Sequence, residues 1–195
     1  MCTKENDITG IVIRPAKITD ASAILEIYRY YVLNTAITFE WTCPSLEEFQ
    51  ERMTKTLRRY PYLVAEEGGK ILGYAYAGPF YGRKAYDWSA ESTIYLDHTL
   101  RHRGLGKKLL MALEGALQEM HILNVYSCIA YPKTEDETLT KNSADFHAKM
   151  GYRLIGCFHD CGYKFDRWYD MIWMEKMLGP HRDAPDPLVA WKPGE

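Results

Sequence analysis

The chain has 195 residues, 47% of them hydrophobic and 26% charged, with a net charge of −2, which suits one globular domain able to bury a core. That charge argues against a non-specific nucleic-acid binder, which needs a basic surface, and no apolar run approaches the roughly 20 residues of a membrane-spanning helix. A polar start, Met1-Cys-Thr-Lys-Glu-Asn-Asp, and five scattered cysteines (Cys2, Cys43, Cys128, Cys157, Cys161) lead to the expectation of a cytoplasmic protein with reduced thiols and no membrane or nucleic-acid partner.

In chain order, Ile11-Val-Ile-Arg-Pro15 reads as a short strand. Thr19 and Asp20 offer caps for a helix with Ile24, Leu25, Ile27, Tyr28, Tyr31 and Val32 on one face. Ser45-Leu-Glu-Glu48 has the form of a capping box and opens a helix with Leu46, Phe49, Met53 and Leu57 inward. Tyr62–Glu66 and Ile71–Gly78, joined by Gly68-Gly69, form a hairpin by pattern. Ser89–Leu96 is the next strand, and Leu105–Met120 a helix whose Leu105, Leu109, Leu113, Ala116, Leu117 and Met120 keep one apolar face. Val125–Ala130 is a fifth strand. Lys141–Met150 follows as a helix with Gly151 as its C-terminal cap, and Arg153–Phe158 with Tyr169–Met177 closes the order as two strands.

That order, β-α-α-β-β-β-α-β-α-β-β, mixes hairpins with two crossover helices. It predicts an α/β (α+β) fold, a mixed sheet flanked by helices, in one domain over residues 1–178. Residues 179–195 hold four prolines without periodicity and read as an extended arm, mobile or laid on a neighbouring surface.

The junction from Glu91 to Lys108 carries the most chemistry. A strand ends, and a turn with Arg101, Arg103, Gly104, Gly106, Lys107 and Lys108 opens onto a helix. Glycines let the backbone approach a ligand, the first helical amides lack internal partners, and the helix dipole adds positive potential, so the turn suits a pyrophosphate. A plain strand–turn–helix junction is the competing reading, because Gly104-x-Gly106 is neither a dinucleotide fingerprint nor a P-loop. Glu91 sits in an apolar, hydroxyl-bearing strand, where desolvation would raise its pKa toward that of a useful base; a solvent-facing strand position is the alternative. Cys157-Phe-His159-Asp-Cys161 has the residue types of a metal site but no second Cys/His pair near it in sequence, so no metal is expected.

Arg101-x-x-Gly104-x-Gly106 resembles the Arg/Gln-x-x-Gly-x-Gly/Ala signature of the GNAT superfamily of N-acetyltransferases. Trp88-x-x-Glu91-Ser92-Thr93, and the run from Trp88 to Lys107, are similar to its phosphinothricin acetyltransferase branch. The resemblance extends over roughly residues 11 to 178 and implies a GNAT-like, mostly antiparallel sheet with acetyl-CoA as co-substrate. It implies main-chain binding of the pantetheine arm and acetyl carbonyl at Ile94, Tyr95 and Leu96, and of the pyrophosphate at His102, Arg103, Gly104, Leu105, Gly106 and Lys107 with charge from Arg101. By the same likeness Glu91 is the general base. His147, in Asn142-Ser143-x-x-Phe146-His147, either donates a hydrogen bond to the leaving sulfur or lines the coenzyme channel. Thr140 stands where the branch has asparagine, after a polar insertion at 133–138, and Asn142 and Ser143 are the candidates to replace its contacts. Phe39, Tyr86 and Trp88 are expected at an acceptor pocket, where Arg83 or Lys164 could pair with an acidic group. The implied reaction is direct transfer in a ternary complex to the amino group of a small amino acid or analogue, of the phosphinothricin or methionine sulfoximine type, in a homodimer. A polyamine, a protein N-terminus and a coenzyme A-binding regulator without turnover are the rivals.

Overall fold

The computed structural model describes residues 10–100 and 104–192. Its elements are β1 (Val12–Pro15), α1 (Ala21–Asn34), α2 (Leu46–Leu57), β2 (Tyr62–Glu67), β3 (Lys70–Pro79), β4 (Ser89–Leu96), α3 (Leu105–Glu119), β5 (Asn124–Tyr131), α4 (Asn142–Lys149), β6 (Arg153–Lys164) and β7 (Arg167–Met177), with 3-10 turns at Ile18–Asp20 and Lys84–Tyr86. The expected order is therefore present. The seven strands form one sheet in the order β1-β2-β3-β4-β5-β7-β6. Every neighbouring pair is antiparallel except β4 and β5, which run parallel because α3 crosses between them.

Alternation along β2 and β3, reset by a bulge at Leu72 opposite Ala65–Glu66, sorts two cores. Leu63, Ala65, Leu72 and Ala75 face α3, where Leu105, Leu109, Leu110, Leu113 and Leu117 are buried. Tyr62, Val64 and Tyr74 face the other way, onto Ile24, Tyr28 and Val32 of α1 and Phe49 and Met53 of α2. The strand period of two and the helix period of 3.6 thus put helices on both faces of one sheet.

Three local expectations are corrected. Asp20 does not cap α1: its carboxylate accepts from the Lys17 amide at 2.7 Å and pairs with Arg14 at 2.7 and 3.0 Å. Ser45 does cap α2, accepting from the Glu48 amide at 3.1 Å. The Glu48 side chain, however, turns to Arg52 at 2.6 Å, so the reciprocal half of the capping box is replaced by an ion pair one turn on. The last hairpin is longer than its pattern suggested, because Phe165 and Asp166 adopt φ of 49° and 56° and close a tight turn without glycine or asparagine. Residues Gly162, Tyr163 and Lys164 are thereby strand, not loop.

Candidate active site

The sheet opens at the middle of β4. Ser89, Ala90 and Glu91 pair with Asn124, Val125 and Tyr126, and the parallel ladder stops there. Ser92 Oγ stitches the fork, donating to the Tyr126 carbonyl at 3.3 Å and meeting Ser127 Oγ at 2.8 Å. Beyond it β4 continues to pair with β3 as far as Leu96 while its other edge faces a gap. A strand edge without a neighbour offers main-chain groups to an extended, amide-bearing ligand. Tyr31 already donates its hydroxyl to the Leu96 carbonyl at 2.6 Å.

Two cavities fill the gap. The larger, about 540 Å³, is lined by Ile94, Tyr95 and Leu96 of β4, by Gly104, Leu105, Gly106 and Lys107 at the start of α3, and by Asn142, Ser143 and Phe146 of α4. The structure thus collects around one space Ile94 to Leu96, Gly104 to Lys107, Asn142 and Ser143, along with Thr140, while Lys108 is exposed on α3 and does not line it. Arg101, His102 and Arg103 lie outside the described residues. Gly104 holds φ +66° at the N-cap of α3, a conformation that favours glycine. Gly106 serves closeness of another kind: a Cβ there would stand 3.3 Å from the Phe146 ring, so its bare backbone lets α3 and α4 converge at the mouth.

The smaller cavity, about 390 Å³, meets the larger at Ile37, Ile94, Tyr95 and Ser143. Glu91, His147, Phe39, Thr38, Tyr76, Ser127, Cys128 and Cys161 are among its walls. Glu91 is half-buried, and desolvation holds its carboxyl above the usual carboxylate range. His147 is buried, with Nδ1 2.8 Å from the Ser143 carbonyl. A carbonyl only accepts, so Nδ1 carries the proton, and burial lowers the imidazole pKa. The neutral ring then presents Nε2 as an acceptor. In that state the ring lines the smaller cavity as an acceptor, and donation to a leaving sulfur would call for the imidazolium.

Four residues expected at the acceptor pocket have other positions. Lys164 is 3% exposed and its ammonium donates to the carbonyls of Val32, Thr35 and Thr38, leaving no proton for a substrate anion. Trp88 donates Nε1 to the Asp186 carbonyl at 2.9 Å and so ties down the C-terminal arm. Arg83 is exposed at the start of a 3-10 turn, and Tyr86 packs on Phe80 and Tyr81. None of the four borders the cavity, and the described residues around it include no lysine or arginine. Tyr76, Ser127 and Cys128 were not picked out as site residues because no local motif marks them; the pairing of β3 and β5 on either side of β4 sets them in the same cavity as Glu91. Cys157, His159 and Asp170 set potential ligand atoms within 4.8 Å of one another, nearer than sequence spacing suggested. Asp170 is engaged there by His159 at 3.2 Å and by the Asp160 amide at 2.9 Å, and the trio does not include Glu91 or His147.

A forked sheet, a glycine-opened helix at its mouth and a desolvated carboxylate in the adjoining cavity accord with the comparisons. A family profile described as an acetyltransferase (GNAT) domain matches residues 13–173. The chain belongs to the GNAT acetyltransferase family. It is accordingly an acetyl-CoA-dependent N-acetyltransferase. It is 32% identical to phosphinothricin N-acetyltransferase of Streptomyces viridochromogenes, over 90% of this chain and 92% of that protein. Identity is 31% to an L-methionine sulfoximine/L-methionine sulfone acetyltransferase of Pseudomonas aeruginosa, over 89% of this chain and 98% of that one. Among solved structures, a phosphinothricin acetyltransferase from Sinorhizobium meliloti in complex with AcCoA superposes with a TM-score of 0.81 at 32% identity, covering 94% of this chain and all of that one. Among the described residues no helix is long and apolar enough to cross a membrane.

Proposed function

We propose that the chain acetylates the amino group of a small amino acid or amino-acid analogue, of the phosphinothricin or methionine sulfoximine type, by direct transfer in a ternary complex. The observation that carries this reading is the meeting of the two cavities at Ile94, Tyr95 and Ser143, with Glu91 in the wall of the smaller one. Acetyl-CoA supplies an acyl group activated as a thioester. The start of α3, with Lys107 at its mouth, fits the pyrophosphate: the first turn of a helix has amides without internal partners and a positive dipole end. The unpaired edge of β4 at Ile94 and Tyr95 fits the pantetheine amides and offers donors for a developing oxyanion. Glu91 then takes the proton of the attacking amine, directly or through water, as the N–C bond forms; collapse of the tetrahedral adduct breaks the C–S bond and releases coenzyme A as a thiolate, which takes its proton from solvent. His147, as an acceptor, orients the amine or that water.

Direct transfer is favoured over a thiol-borne acyl group by the state of Cys128. Desolvation and the neighbouring Glu91 carboxylate push that thiol up to about 12, so it is not the thiolate a nucleophile requires. Uncharged hydroxyls of Tyr76, Thr93 and Ser127 suit the carboxylate or sulfone-like oxygens of an acceptor. A cytoplasmic location and a homodimer belong to the same reading, the first supported by unpaired thiols at Cys43, Cys128, Cys157 and Cys161, the second by the apolar surface of β6.

A panel of amines mixed with acetyl-CoA, read by free thiol release, tests the proposal. Turnover is expected with phosphinothricin or methionine sulfoximine. A polyamine or an N-terminal peptide outrunning every small amino acid would overturn the acceptor class.

A further inference from the structure

Lys164 is a buried cation that, among the described residues, bonds to no carboxylate. Its Nζ lies 2.7 Å from the Val32 carbonyl, 2.8 Å from that of Thr35 and 2.9 Å from that of Thr38. An ammonium has three protons, and here each meets a main-chain oxygen. Val32 belongs to the last turn of α1 and Thr35 is its C-cap, so two of the three oxygens come from the end of a helix, where carbonyls lack internal partners and the dipole favours a cation. The third, Thr38, lies in the segment that carries Ile37, Thr38 and Phe39 into the wall of the smaller cavity.

Two residues earlier on β6, and so on the same side of the strand, stands Gly162. The Phe39 ring rests on it so closely that a Cβ there would fall 2.7 Å or less from three ring carbons. No other residue leaves room for the ring at that spot. The insertion helps from the far side, where the Ala36 amide donates to the Thr138 carbonyl at 3.0 Å. One strand therefore both holds the backbone of residues 35–38 and seats the side chain of residue 39.

We propose that Lys164 and Gly162 form a clamp that fixes residues 35–39 as the specificity wall of the acceptor cavity, Lys164 acting as a positioning residue and not as a substrate ligand. The proposal rests on reading that cavity as the acceptor site. Desolvating an ammonium is costly unless its protons are all satisfied, and unmaking three such bonds at once would free the segment; it touches the larger cavity only at Thr35 and Ile37, and that cavity's other walls on β4, α3 and α4 stand without it.

Lys164→Met keeps the length of the stem and removes the three donors. Amide hydrogen exchange in residues 35–39 is expected to quicken at least tenfold in this variant. This readout needs no acceptor, so it judges the clamp even if the wild type transfers acetyl to none of the amines tried, a result that would count against the function reading alone. With an accepted amine, its KM should rise tenfold or more, kcat should change less than threefold and acetyl-CoA affinity should hold. Unchanged exchange, or an unchanged amine KM in the folded variant, overturns the clamp. Should Lys164→Met fail to fold, Gly162→Ala decides. It leaves the ammonium in place and displaces the Phe39 ring, so the kcat/KM ratio between a small and a large amine should shift at least fivefold; an unmoved ratio overturns the proposal.

Discussion

Glu91 lies at the last rung of the β4–β5 ladder, and its carboxylate has no hydrogen-bond donor among the described residues. Desolvation is the sole cause of its raised pKa. As a base it must be ionised, so kcat should rise with pH through an apparent pKa above the ordinary value of about 4.5, and Glu91→Gln should lower turnover by about 10² to 10⁴-fold while sparing acetyl-CoA binding. Near-normal turnover at saturating amine would remove Glu91 from the mechanism. The same shift has a stability sign. A carboxyl whose folded pKa exceeds its unfolded one binds more protons when folded, so its contribution is present below the unfolded pKa and lost as pH rises through the folded one. Denaturant melts of the two proteins should therefore diverge above that window, with the glutamine variant gaining on the wild type. The place of Glu91 in a cavity wall was legible only through the family motif, since the strand pattern by itself equally allowed a solvent-facing position. Lys164 was not: a lysine among aromatics looks like a ligand for an anion, and only the path of α1 shows that three carbonyls claim it.

At the scale of elements, α3 was legible almost to the residue, since its apolar period and its glycine-bearing start are both local signals. The β6–β7 hairpin was not, because its turn uses positive φ at Phe165 and Asp166, and a phenylalanine there gives no turn signal. The fork between β4 and β5 is likewise invisible to local pattern, since the strand reads as one run through Leu96 while its parallel pairing ends at Glu91. What the fork and α3 do together can be tested at Lys107, which is exposed at the mouth of the larger cavity. Lys107→Glu should leave the helix and the fold intact and set a negative charge against the pyrophosphate. Acetyl-CoA affinity is expected to fall more than tenfold, about 1.4 kcal/mol or more, with the amine KM little changed. Calorimetry showing equal affinity in the folded variant would move the phosphate site away from this turn.

For the whole molecule, the arm and the free sheet edge matter most. The arm returns onto its own domain: Trp88 Nε1 meets the Asp186 carbonyl, His121 Nδ1 lies 2.6 Å from the Pro187 carbonyl, and Leu188 and Trp191 pack on the core beside α3. Truncation after Leu178 should uncover that surface and lower Tm by about 4 °C or more, given that 1 kcal/mol moves a domain of this size by roughly 2–4 °C; an unchanged melt would show the arm to be ornamental. Since the arm covers its own chain, the proposed dimer must draw on another surface. β6 forms the outer edge of the sheet, and it exposes Leu154 at 60%, Ile155 at 46% and Phe158 at 53%. A long apolar edge strand left in water is an association site, and a second copy burying it would lie beside the strand that clamps the acceptor wall. Light scattering is therefore expected to give twice the 22.6 kDa of the chain, and replacing Leu154 and Phe158 together by glutamate should return a folded monomer. A single-chain mass for the wild type at working concentration would overturn the dimer, and a doubly substituted protein that still dimerises would place its interface elsewhere.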